Sequence, residues 1–148
     1  MDPLTVAQAD LLGASRRAVM ATIRFNGRPR LVPCVFAGHL TEQAVVVYTA
    51  VDDKRKSVTD PLVLGRVRDI QARPEVSLLV DRWSEDWSEL AWLRLDGRAS
   101  LVEPGGDEHR RATRLLRDRY PQYADHALER RPIIRVEVES ATGWSATG

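Results

Sequence analysis

Apolar residues recur along this chain with two different periods, and the switches between them mark out its elements. Leu4, Ala7, Leu11 and Leu12 fall at helical spacing within residues 3–15, and Pro3 suits a first helical turn. The pattern then becomes extended. Ala18–Phe25 and Arg30–Ala37 are rich in β-formers and flank Asn26–Gly27, the strongest short-range hairpin signal. Ala44–Ala50 (AVVVYTA) is almost wholly apolar, which predicts a strand buried on both faces. Pro61–Arg73 predicts a helix with Leu64, Val67 and Ile70 on one stripe, closed by Pro74. Glu75–Trp83 and Leu90–Val102 predict two further strands. The second is interrupted by Asp96–Gly97, either a tight turn or a bulge within one strand. Beyond the loop Glu103–Asp107, Glu108–Tyr120 predicts a helix carrying Leu115 and Leu116. Ile133–Glu139 alternates strictly as a last strand before a short tail, Thr142–Gly148.

The order helix, three strands, helix, two strands, helix, strand predicts a mainly β, α+β architecture. A small closed barrel with helices at its openings and edges suits the antiparallel hairpins. A length of 148 residues fits one domain spanning 1–148, large enough to bury a core without disulfides or a structural metal. The 43% hydrophobic and 29% charged fractions argue against disorder. No internal repeat, low-complexity tract or linker interrupts the chain.

Charge and cysteine content then narrow the function. Twenty-two Lys plus Arg against twenty-one Asp plus Glu leave a formal charge of +1, so no global field draws in nucleic acid or an anionic membrane. Arg110, Arg111, Arg114, Arg117 and Arg119 crowd one helix, but Leu115 and Leu116 lie among them. A solvated amphipathic face is the simpler reading than a nucleic-acid surface. Residues 1–14 hold two aspartates and no continuous apolar run, and no stretch approaches the roughly 20 apolar residues of a membrane span. A cytosolic protein is the expectation. Cys34 is the only cysteine, which excludes an internal disulfide and a multi-cysteine zinc site; mid-strand, it reads as a small buried hydrophobe. His39, His109 and His126 are scattered and read as surface or loop residues, not ligands. Phosphate-cradling glycine loops, a serine elbow and a catalytic diad are all lacking, so any chemistry is expected from a cofactor.

Three features remain as candidates. Lys54, Arg55 and Lys56 follow the strand end Tyr48–Thr49–Ala50, where consecutive cations either grip a phosphate or form a solvated charged loop. Pro33, within Leu31–Val35, cannot donate to a sheet ladder. It marks an edge strand or an opening in the barrel wall, where free backbone groups can meet the polar rim of a flat ring. Trp83, Trp87 and Trp92 are core, interface or a stacking wall.

Taken in order, these segments resemble the PPOX class of split β-barrel oxidoreductases that use coenzyme F420, a deazaflavin, a class related in fold to pyridoxamine phosphate oxidase and FMN-binding split barrels. The resemblance covers nearly the whole chain. It begins at Ala21–Pro33 and Tyr48–Lys54 and is densest in Arg73–Asp81, Glu85–Trp87 and Trp92–Ala99. Arg119–Tyr123 and Thr142–Ser145 are similar to one subgroup. It departs at Ser57, where that subgroup has a basic residue, at Arg55 in place of a proline, and in three extra residues around Val58–Pro61. The resemblance implies that Asp96–Gly97 is a bulge in one strand. It also implies a six-stranded antiparallel split β-barrel forming a two-fold homodimer with cofactor sites at the interface. On this reading Val32, Pro33, Cys34 and Val35 with Tyr48, Thr49 and Ala50 form the ring slot. Lys54, Arg55 and Lys56 hold the phosphate, while Trp92 and Arg94 cover the ring from the second subunit. The implied activity is hydride transfer between F420 and a small organic substrate. An FMN-dependent oxidase on the same fold and a carrier without turnover are the alternatives.

Overall fold

The computed structural model describes residues 2–51 and 64–148. Among these residues, and apart from short 3-10 turns, the α-helices and strands are α1 (Val6–Ala14), β1 (Ala18–Ile23), β2 (Pro29–Cys34), β3 (Ala37–Leu40), β4 (Val45–Ala50), α2 (Gly65–Ala72), β5 (Glu75–Arg82), β6 (Ala91–Val102), α3 (Asp107–Arg119) and β7 (Ile133–Ser145). All seven strands share one antiparallel sheet in the order β2-β1-β5-β6-β7-β4-β3, the split-barrel arrangement. The expected strand count was six. The run Arg30–Ala37 does not continue as one strand: it ends at Cys34, and Ala37–Leu40 turns away to pair with β4. Consecutive strands β2 and β3 thus sit at opposite edges of the sheet, joined only by Val35–Phe36.

Local chemistry explains the element ends. Thr5 caps α1 in a reciprocal box, its hydroxyl accepting from Gln8 N while Gln8 Oε1 accepts from Thr5 N. The β1–β2 hairpin closes through Phe25–Asn26–Gly27. Gly27 adopts φ +85°, Arg24 N donates to Arg28 O, and Asn26 Oδ1 accepts from Arg28 N. The register of β6 against β7 shifts between Asp96 and Gly97, the bulge within one strand. A Cβ at position 97 would lie 2.2 Å from Glu137 O, so this close approach admits only glycine. β7 runs on to Ser145, taking in most of the tail that the sequence pattern had left outside the sheet, with Trp144 paired to Trp92.

Burial follows strand parity. One face of the sheet wraps a core that includes Met20, Leu78, Leu93, Leu95 and Val136. All six residues of β4 are buried, because its opposite face meets a second core. Tyr48 and Ile133 pack there against Ala112, Leu116, Tyr123 and Leu128. Among the described residues no helix is long and apolar enough to cross a membrane.

Candidate functional site

The sheet order makes β2 an edge strand, as Pro33 required. Its register with β1 runs from Ala18↔Cys34 to Ile23↔Pro29, and among the described residues no strand pairs with its far side. Pro33 is exposed, Val32 and Val35 are half-buried, and Cys34 is buried. Beside this edge β4 ends. Thr49 Oγ1 donates to Val35 O at 2.8 Å, so two of the sequence-predicted slot residues meet where the β2–β3 link runs into the β3–β4 pairing. Ala50 O accepts from Arg66 on α2 at 3.2 Å.

The link between the two sheet edges is anchored by a residue that no local pattern singled out. The Tyr120 hydroxyl accepts from Phe36 N at 3.2 Å and from Arg119 Nε at 3.0 Å. It donates towards Phe36 O at 2.9 Å or Arg16 O at 3.0 Å. The Phe36 backbone has left both strands, and this phenol serves both its polar groups. Arg119 also donates to the carbonyls of Gly13 and Ser15, and its guanidinium stacks 5.0 Å from the Phe36 ring. Arg117 reaches the carbonyls of Tyr123 and His126 and pairs with Glu129, whose carboxyl it lowers to about 2. The arginines expected on a solvated face thus include two that tie α3 to neighbouring backbone. His109, expected at the surface, is also buried, 2% exposed, with Nε2 2.7 Å from Arg131 O. Both corrections have one cause: the partners are carbonyls that only tertiary folding brings near.

Tyr48 turns out to serve the second core. It is fully buried, and its hydroxyl donates to Glu108 Oε2 at 2.7 Å. Burial and the hydrogen bond to Glu108 raise its pKa, so it stays a donor. Burial works against ionisation of Glu108, but hydrogen bonds from Tyr48 and Arg135 (2.8 Å) outweigh it and hold the carboxyl below its ordinary value. The Tyr48 side chain thus lies in the second core and not at the split, and its backbone is flanked by Ala37 of β3 and Arg135 of β7.

Trp92 and Arg94 lie on the outer face of β6, with the guanidinium 5.9 Å from the indole. One register row runs Pro33–Val19–Leu79–Arg94 across β2, β1, β5 and β6. Three strand spacings of about 4.8 Å separate the ends of that row by roughly 14 Å. A single chain therefore does not bring Trp92 and Arg94 over Val32–Val35. Lys54, Arg55 and Lys56 lie outside the described residues. Among the described residues no group of three or more His, Cys, Asp or Glu could hold a metal.

A family model described as pyridoxamine 5'-phosphate oxidase matches residues 4–145. No curated protein matches the chain. Among solved structures, a conserved hypothetical protein from Mycobacterium tuberculosis superposes with TM-score 0.72 at 19% identity, covering 98% of this chain and 88% of that one. HutZ, the heme storage protein from Vibrio cholerae, gives 0.68 at 15% identity, with 97% and 94% covered. A structure named F420 reductase gives 0.63 at 22% identity, with 94% and 98% covered. At these identities the likenesses establish the shared fold.

Proposed function

Because the chain belongs to the pyridoxamine 5'-phosphate oxidase family, we propose that it is an oxidoreductase using a flavin-type cofactor, coenzyme F420 in preference to FMN, on a small organic substrate. The observation that carries this reading is the split itself. At Pro33–Val35 an edge strand with apolar walls faces the end of β4, and the Val35–Phe36 backbone is clamped by Thr49 and Tyr120. A flat ring fits such a place, with apolar faces against Val32, Cys34 and Val35 and a polar rim against the backbone along the β2 edge. When bound, the cofactor supplies the hydride-carrying carbon. The chain orients it, excludes water with Val32 and Val35, and grips its phosphate with Lys54, Arg55 and Lys56. A two-fold homodimer brings the partner's Trp92 and the partner's Arg94 to the roughly 14 Å gap that one chain leaves. The match to an F420 reductase fold supports the deazaflavin, while likeness to a heme storage protein supports a carrier as the second reading.

Titrating the protein with F420 and with FMN, followed by cofactor fluorescence, tests the reading. Saturable binding with F420 the tighter is expected; binding of neither overturns it. Charge-assisted hydrogen bonds contribute about 1.5–3 kcal/mol each. Lys54→Ala or Lys56→Ala should therefore weaken binding about tenfold or more. Unaltered affinity in both would return these lysines to a solvated loop. Steady-state oxidation of the reduced cofactor by an added acceptor separates an enzyme from a carrier.

A further inference from the structure

A cleft of about 570 Å³ runs along α3 to the turn Leu128–Arg130, with His109, Thr113, Arg114, Arg117, Asp118 and Glu129 in its walls. Arginines 110, 114 and 117 border it at intervals of about one turn, and the outer two are committed. Arg110 donates to Gly105 O at 3.1 Å and pairs with Asp107. Arg117 pairs with Glu129 and donates to the carbonyls of Tyr123 and His126. Arg114, between them, is exposed, and its side chain makes no hydrogen bond or ion pair among the described residues. The same holds for Asp118, one turn further on. The cleft therefore keeps one cation and one anion in reserve.

The needs of the helix do not account for these two. A base four residues before an acid is the weaker order for a helical pair. Asp118 also lies in the last turn of α3, at the negative end of its dipole, where an acid is disfavoured. A third group stands idle beside them. Thr113 is 6% exposed and lines the same cleft, and its hydroxyl has no hydrogen-bond partner among the described residues. A buried polar atom left in that state calls for a partner. Helical threonine divides between two χ1 rotamers, so the hydroxyl can turn when a partner arrives. His109 forms a fixed wall next to it, held 2.7 Å from Arg131 O.

We propose that this cleft binds a small zwitterion, an α-amino acid with a polar, uncharged side chain. Arg114 meets the carboxylate through two parallel hydrogen bonds with Thr113 assisting, and Asp118 accepts from the ammonium group. Residues four apart on a helix hold their Cβ atoms about 5–6 Å apart, a span that the two charged groups of one amino acid bridge. The lining side chains among the described residues are all polar, which suits a side chain that forms hydrogen bonds. The site shares no residue with the ring slot and does not depend on which cofactor occupies that slot.

Calorimetric titration of the full chain with L-glutamine, L-asparagine and L-serine tests it. One saturable site per chain is expected for at least one of them. The N-acetyl and the carboxamide derivatives of that amino acid, each lacking one charge, should bind about tenfold more weakly or worse. Arg114→Gln and Asp118→Asn, both at exposed positions, should each cause a similar loss. Thr113→Val keeps the shape of the side chain and removes only the idle hydroxyl. It should leave the melting temperature unchanged or raised while weakening the amino acid severalfold, an effect on binding that a purely structural threonine would not show. Arg28→Gln in the β1–β2 hairpin should leave affinity within about twofold, as loss of a remote surface charge does. Absence of saturable binding by all three amino acids overturns the proposal. So does equal binding of the N-acetyl derivative, or unchanged affinity in both Arg114→Gln and Asp118→Asn.

Discussion

Single polar atoms decide how the split is held. The Tyr120 hydroxyl serves the N–H and C=O of Phe36, the residue at which the chain crosses from one sheet edge to the other. Tyr120→Phe keeps the ring but strands those groups, and a buried backbone donor left unsatisfied costs about 1–3 kcal/mol. A loss near 2 kcal/mol should lower Tm by roughly 4–8 °C in a chain of this size. An unchanged melting curve would mean that water replaces the phenol at no cost. Glu108 gives a pH signature. Its folded pKa is depressed, so its contribution is complete above the unfolded carboxyl value of about 4.3 and is lost as pH falls through the folded value. Denaturant unfolding followed from pH 6 downward should show stability falling below roughly pH 4.3. Glu108→Gln should flatten that fall, and parallel curves for the two proteins would exclude Glu108 as its source.

At the scale of elements, the bulge in β6 lets one twelve-residue strand keep register with both β5 and β7. Gly97→Ala would drive a methyl into Glu137 O and should cost on the order of 3 kcal/mol, as overpacking of a filled site does. A denaturation midpoint equal to the parent's would show that the bulge can migrate. Elements governed by their own residues were legible in advance: the hairpin at Asn26–Gly27, the doubly buried β4, and the edge marked by Pro33. The Asp96–Gly97 choice needed the family resemblance, because the dipeptide suits a turn as well as a bulge. What stayed hidden was set by contacts distant in sequence. Tyr120 meets Phe36 across 84 positions and Arg30 meets Asp69 across 39, and no local pattern encodes either. The division of Arg30–Ala37 into two strands was hidden for the same reason, since β3 is defined by its pairing with β4.

For the whole molecule, the sheet is covered unequally. Helix α3 and the turns after it cover the face of β4, but Leu31, Leu79 and Trp144 are 66%, 42% and 48% exposed on the outer face of β2, β5 and β7. An apolar patch of this kind marks an interface, and a two-fold dimer on it would complete the proposed site. Sedimentation equilibrium at micromolar concentration should give a dimer for the parent and a monomer for Leu79→Arg, whose charge would sit at the centre of the patch. A stable parent monomer would refute the interface and remove half of each proposed site.

The separation of β3–β4 from the rest of the barrel also bears on how the chain is made. Strand β4 lies between β3 and β7, and β7 is the last of these seven strands to be synthesised. A ribosome adding about 5–20 residues per second needs roughly 5–20 s to travel from Val45 to Ile133. Through that interval the run Val45–Ala50 has emerged without the strand that will cover one of its edges. The nascent chain therefore carries an apolar β segment suited to pairing with other chains, a hazard invisible in the finished barrel. Slow translation would lengthen that exposure, and a holdase chaperone binding this segment would shorten it.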